Sequence, residues 1–194
     1  MKKYELTGEV KVKFGVTFKR IRALIDFGNV KKGELGGFIE KEENLSHENN
    51  AWVSGNAWVY GDARVYDDAW VYGDARVYDD ARVSGNAWVS GNAEVSGNAE
   101  VSGNAWVSGN AWVSGNARVS GNADYVLIGR IGSRFGFTTF FRNKNNEIYV
   151  SCGCFLGTLA KFRKKVKETH GTDTKYAKVY QAAADLAEMQ ILNK

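Results

Sequence analysis

The 194-residue chain contains no proline, only two cysteines and only two histidines. Two cysteines make no disulfide framework at this length, so a soluble, reducing, cytoplasmic setting is the expectation. No apolar run approaches the length that crosses a bilayer. Met1-Lys2-Lys3-Tyr4-Glu5-Leu6 has two lysines with no apolar stretch behind them and does not read as a secretion signal. The net charge is only +4, too little over the whole chain to mark a nucleic-acid binder. The sequence holds no Walker loop, GxSxG or HExxH motif. Hydrophobic residues make up 44%, which excludes wholesale disorder.

Glycine is plentiful, at 22 residues, and ten of these fall in one repeat. From Ala51 to Ala123 an alanine recurs at every sixth position without a gap, giving 12 hexapeptides. A valine stands two residues after each alanine, from Val53 to Val119. The unit reads Ala, variable, Val, Ser or Tyr, Gly or Asp, Asn or Asp. Alternation puts Ala and Val on one face of a short strand. The Gly-Asn, Gly-Asp or Asp-Asp pair then tolerates positive φ and turns a corner. An α-helix is excluded, because a glycine in every turn costs about 1 kcal/mol each and six is not a helical period. So short a strand cannot bury its own apolar face, and successive coils must stack on a shared core. Inside that core Ala87→Leu should do more damage than Ser90→Leu at the outward-facing fourth position.

The Ala-x-Val-x-Gly-Asn unit resembles the hexapeptide repeats of left-handed parallel β-helices. That resemblance implies three hexapeptides, or 18 residues, per triangular coil, hence four regular coils about 19 Å tall at roughly 4.8 Å per coil. The fold expected is mainly β. An N-terminal β cap spans 1–50, the β-helix 51–123, and a small α+β domain 124–194. Positions 18 apart then stack into three ladders: Trp52, Trp70, Trp88 and Trp106; Trp58, Arg76, Glu94 and Trp112; and Arg64, Arg82, Glu100 and Arg118. Four outward indoles in a column would exceed the apolar patch a monomer usually shows, so the first ladder is a candidate self-association surface. The alternative is an internal stacking ladder that stiffens the column. Related β-helices commonly form trimers through flat faces, and a homotrimer is the implied state. The third ladder reads as solvated, with Arg82, Glu100 and Arg118 paired at the surface. Asp67-Asp68 and Asp79-Asp80 read as corner chemistry rather than a calcium site, because they fall on different corners.

The flanks break the period. Tyr4 to Val12 and Phe18 to Ile25 alternate like strands, and Leu45 and His47 fill the Ala and Val slots of a degraded coil. Phe27-Gly28-Asn29-Val30, Leu35-Gly36-Gly37-Phe38-Ile39-Glu40 and Asn44-Leu45-Ser46 resemble uncharacterised phage and prophage hexapeptide proteins. Beyond the repeat, strands are expected at 125–129, 135–142 and 147–152. A helix should open at Gly157-Thr158 and end at His170-Gly171, and a last one should start near Thr174. The charge concentrates here, with 12 basic against 6 acidic residues in 124–194 and 4 against 8 in 51–123.

Many hexapeptide β-helices are acyltransferases that use a histidine as general base. The regular coils here have no histidine, and their strict spacing leaves no room for an extruded loop, so a non-enzyme without cofactor is expected. Cys152 and Cys154 read as small hydrophobes and not as a metal site. An anion site is expected instead where Gly157 and Thr158 lead into a helix N-terminus. Arg130, Arg134 and Arg142 would lie beside it, with Lys161, Arg163, Lys164 and Lys165 on the helix, and Phe140, Phe141 and Phe155 would stack on a base. The alternative is that the lysines form a solvated helix face and the phenylalanines are core. Together with the phage-like flanks, this points to a counter-defence protein that sequesters a nucleotide-type signal or blocks a host protein. The alternatives are a hexapeptide acyltransferase and a structural phage protein.

Overall fold

The computed structural model describes residues 1–192, so Lys194 at the expected domain boundary lies outside them. Its centre is a β-solenoid. Twelve two-residue strands, β4 (Trp52–Val53) to β15 (Arg118–Val119), form three four-rung parallel faces. The register is the expected one: Trp70 pairs with Trp88 and Trp88 with Trp106, while Arg76 pairs with Glu94 and Arg82 with Glu100. Within a face, each coil bonds to the next through the backbone. Trp70 N donates to Ala87 O, Tyr72 N to Val89 O and Asp74 N to Gly91 O, each at 2.9 Å. Every alanine and valine of the repeat up to Val119 is buried, which makes the column the main core.

The corners use the left-handed backbone region. Gly73, Gly91 and Gly109 stack so closely that a Cβ on Gly73 or Gly91 would come within 3.0 Å of the next glycine's nitrogen. Asp67 and Asp79 take the same conformation at φ 57° and 59°. Their carboxylates accept from Gly85 N and Gly97 N at 3.0 and 3.1 Å, so corner chemistry accounts for these aspartates. Two expectations fail on this shaft. Ser90 is buried, because its hydroxyl accepts from the Trp106 indole at 3.1 Å. The surface ion pair joins Arg76 to Glu94, not Arg82 or Arg118 to Glu100.

The N-terminal cap is a hairpin, β1 (Tyr4–Lys13) and β2 (Val16–Ala23), followed by β3 (Leu35–Ile39). These extend one solenoid face into a seven-stranded sheet, with β1 at its free edge. Phe38 pairs with Trp58, and Leu45 bridges to Val65, so this first coil is two residues wider than the rest. That shift corrects the expected slots: Leu45 stands opposite a valine, and His47 lies beyond it.

His47 stacks on Tyr4 at 4.2 Å, and its Nδ1 accepts from Lys3 N at 3.2 Å. Burial, with the nearby Lys2 and Lys3 charges, holds its pKa below the ordinary 6.5 against the opposing pull of Glu42. The unfolded chain therefore takes up the proton first, and the stability His47 contributes is present above pH 6.5 and lost as pH falls below it. Thermal unfolding at pH 7 and pH 5 should show this loss. His47→Asn, which can keep an acceptor for Lys3 N, should show a smaller loss, and an identical loss in the variant would contradict the assignment.

The C-terminal segment closes the other end. Strands β16 (Tyr125–Ile131), β17 (Gly136–Arg142), β18 (Ile148–Cys152) and β19 (Phe155–Thr158) form an antiparallel meander, followed by α1 (Leu159–His170) and α2 (Lys175–Leu192). Period-2 alternation splits the sheet's side chains. Phe141, Tyr125, Leu127 and Tyr149 pack on the solenoid core, while Phe140, Ile148 and Val150 pack under the helices with Phe162 and Ile191. The module is therefore a lid on the shaft.

Side-chain oxygens replace the missing next coil on all three faces. Trp106 N donates to Asn122 Oδ1 at 2.7 Å, Trp112 N to Thr139 Oγ1 at 3.0 Å, and Ser120 N to Asp124 Oδ2 at 2.9 Å.

Candidate functional site

The residues expected to bind an anion do not converge. In the sheet register, Arg142 pairs with Ile148, and Tyr149 with Thr158, at one end of the module. Arg130 and Arg134 lie near the other end, where Ile131 pairs with Gly136. Gly157 does not open the helix: it is buried in β19 opposite Val150, a short strand that precedes α1. Thr158 caps α1 itself, accepting from Lys161 N at 3.3 Å, and Lys161 is exposed on the first turn. The adjoining depression holds Glu147 and Glu188, which disfavour an anion. Arg142 is structural. Its Nε donates to buried Asp124 at 3.0 Å, and its other nitrogens reach Asn146 and the Ile191 carbonyl. Phe140 and Phe141 are fully buried and unavailable to a base.

A cleft of about 310 Å³ lies at the opposite end, among the β16–β17 turn, the β18–β19 turn, the C-terminal half of α1, and α2. Its wall is aromatic. The Tyr180 and His170 rings stack at 5.7 Å and 27°, Phe162 meets Tyr180 edge-on at 5.7 Å, and Phe155 lies 5.6 Å from Phe162. Gly132 makes room for Tyr180, because a Cβ there would fall 1.9 Å from the phenol oxygen. Burial, then the Cys152 thiol beside it, pushes the Tyr180 pKa up to about 12, so the phenol stays protonated near neutral pH. Cys152 Sγ in turn accepts from Thr138 Oγ1 at 3.2 Å.

Two cations, Arg134 and Lys165, stand at the rim, and no Asp or Glu lines the cleft. Neither cation has a carboxylate within 4 Å among the described residues. A larger depression of about 600 Å³ lies elsewhere along α1 and α2, but its Arg163 is already bound by Asp185 and Glu188 at 2.7 and 2.8 Å. Of the expected residues, the better site thus keeps Arg134 and Phe155. Of the lysines expected on the first helix it takes Lys165, and it adds His170 and Tyr180, which the sequence marked only as a helix end and as part of the last helix.

The tryptophan ladder is less uniform than its spacing implied. Trp52 is completely buried beneath Tyr4 and Phe27, and Trp70 is half-buried. Trp88 and Trp106 are 46% and 49% exposed and meet edge-on at 6.0 Å. Two such indoles make a smaller patch than four.

No curated protein matches the chain. The YdcK β-solenoid repeat family matches residues 57–73, 75–91 and 99–115, each about one coil of the shaft, so the chain is similar to that family through its solenoid and outside both caps.

Proposed function

We propose that this chain is a non-catalytic binding protein whose solenoid holds up a basic module that captures a small anionic ligand bearing an aromatic ring, of the nucleotide class. The observation that carries this reading is the cleft itself: an aromatic wall, two unpaired cations at its rim and no acid in its lining. A base stacks on such rings for about 1–3 kcal/mol, and charge-assisted hydrogen bonds to phosphate add about 1.5–3 kcal/mol each. The neutral Tyr180 phenol can donate to the ligand without adding a negative charge. Sequestering a nucleotide signal in this way agrees with the counter-defence role that the phage-like flanks imply.

The acyltransferase alternative has less support. His47 is committed to the N-terminal cap through Lys3 N and Tyr4, and His170 is packed between Tyr176 and Tyr180.

Calorimetric titration of the full chain with ATP, ADP-ribose and cyclic dinucleotides tests the proposal. At least one should bind with a Kd in or below the micromolar range, and the Arg134→Ala/Lys165→Ala double variant should weaken it by about a hundredfold. Absence of binding by all of them, or equal binding by the double variant, overturns the proposal.

A further inference from the structure

The outer edge of β1 carries a row of backbone N–H and C=O groups with no neighbouring strand, at the free margin of a seven-stranded sheet. Long exposed edges are normally blunted by lysines that stand out into solvent. Here Lys11, half-buried, and Lys13, exposed, lie over aromatic rings of their own sheet. Lys11 Nζ lies 4.0 Å from the Phe38 ring centre, and Lys13 Nζ 4.9 Å from that of Trp58, both on the outward side of their own sheet. The alternate residues on the other side are apolar and open, with Val10 50% and Val12 70% exposed. The strand is ten residues long and unpaired on its outer side, and apart from the bulge between Leu6 and Val10 its pairing to β2 is regular.

We infer that this edge binds the same edge of a second copy of the chain, β1 against β1 in antiparallel orientation about a two-fold axis. Charge selects the register. Centring the axis on Val10 puts Glu9 opposite Lys11 of the other copy, twice by symmetry, and Val10 opposite Val10. Moving the centre one residue toward the N-terminus opposes Glu9 to Glu9 while Glu5 meets Lys13. Moving it one residue the other way opposes Lys11 to Lys11 while Glu9 meets Lys13, so each of these carries a like-charge pair that the Val10-centred register lacks. A centre at Val12 opposes Lys11 to Lys13. Like charges directly opposite destabilise a strand pair and opposite charges stabilise it, so the Val10-centred register is favoured among these. A two-fold contact of this kind is self-complementary and closes at two copies. It leaves the C-terminal cleft of each copy at the far end of its shaft, so it holds whether or not the ligand-binding proposal does.

The test is sedimentation of the full chain together with disulfide trapping in a Cys152→Ser/Cys154→Ser background. A dimer is expected. Val10→Cys should trap it covalently under mild oxidation, while Val12→Cys, which faces Gly8 in this register, should not. Val10→Lys restores an outward gatekeeper at an exposed position, and Glu9→Lys puts like charges opposite each other. Each should weaken the dimer by about tenfold or more. A monomer or trimer for the parent chain, a dimer unaffected by Val10→Lys, or trapping by Val12→Cys in place of Val10→Cys would overturn the inference.

Discussion

Replacing Ala87 by leucine is expected to lower the unfolding free energy by about 1–3 kcal/mol or more, because Ala87 has no exposed surface and its neighbours are a close-packed column of valines. The added carbons have nowhere to go without pushing the coil walls apart. Those walls are fixed by hydrogen bonds to the coils on either side, such as Trp88 N to Ala105 O at 2.9 Å. Glu100→Leu, at an exposed rung of another face, should change stability by no more than about 0.5 kcal/mol. Ser90→Leu no longer serves as the outside control, since Ser90 is buried and holds the Trp106 indole. Urea unfolding of the three variants measures the order, and equal losses for Ala87→Leu and Glu100→Leu would mean that inside and outside are wrongly assigned.

Loss of the Asp124 carboxylate should be the more severe change. Asp124 is nearly inaccessible and receives hydrogen bonds from Ser120 N, Ser120 Oγ, Gly121 N and Arg142 Nε at 2.8–3.0 Å. Asp124→Ala leaves buried donors and a guanidinium without their acceptor, at a cost of about 3–5 kcal/mol. Arg142→Ala removes one donor and leaves the carboxylate those of Ser120 and Gly121, so its cost should be smaller. Hydrogen exchange should show where the loss falls. Amides of 125–192 should open in Asp124→Ala while the central coils stay protected. If Arg142→Ala proved as damaging as Asp124→Ala, the carboxylate would not be the centre of this junction.

The shaft was legible because its physics is local and periodic. Each coil repeats the same alternation and the same corner, so Val53 to Val119 and all three ladders follow from an 18-residue spacing. Departures came wherever a residue answers to a distant partner. Ser90 is drawn in by an indole 16 residues away, and Leu45 falls in a valine slot because two extra residues separate it from the next face. Trp52 is covered by Tyr4 and Phe27, which no repeat position announces.

The cleft was less legible still. Gly132, Arg134, Cys152, Phe155, Lys165, His170 and Tyr180 come from five elements and turns, and no spacing links them. Arg142 and Thr158 carried the expected chemistry, yet local partners already satisfy them. Arg134 remained a good candidate for the opposite reason: no carboxylate in the described fold pairs with it.

Native mass spectrometry of the protein, released gently from the cells that make it, tests the binding account most directly. The account predicts one small anionic molecule of nucleotide-like mass per chain, lost from the Arg134→Ala/Lys165→Ala variant while the protein stays folded. A parent chain that carries no such molecule, or a variant that retains it undiminished, would contradict the account.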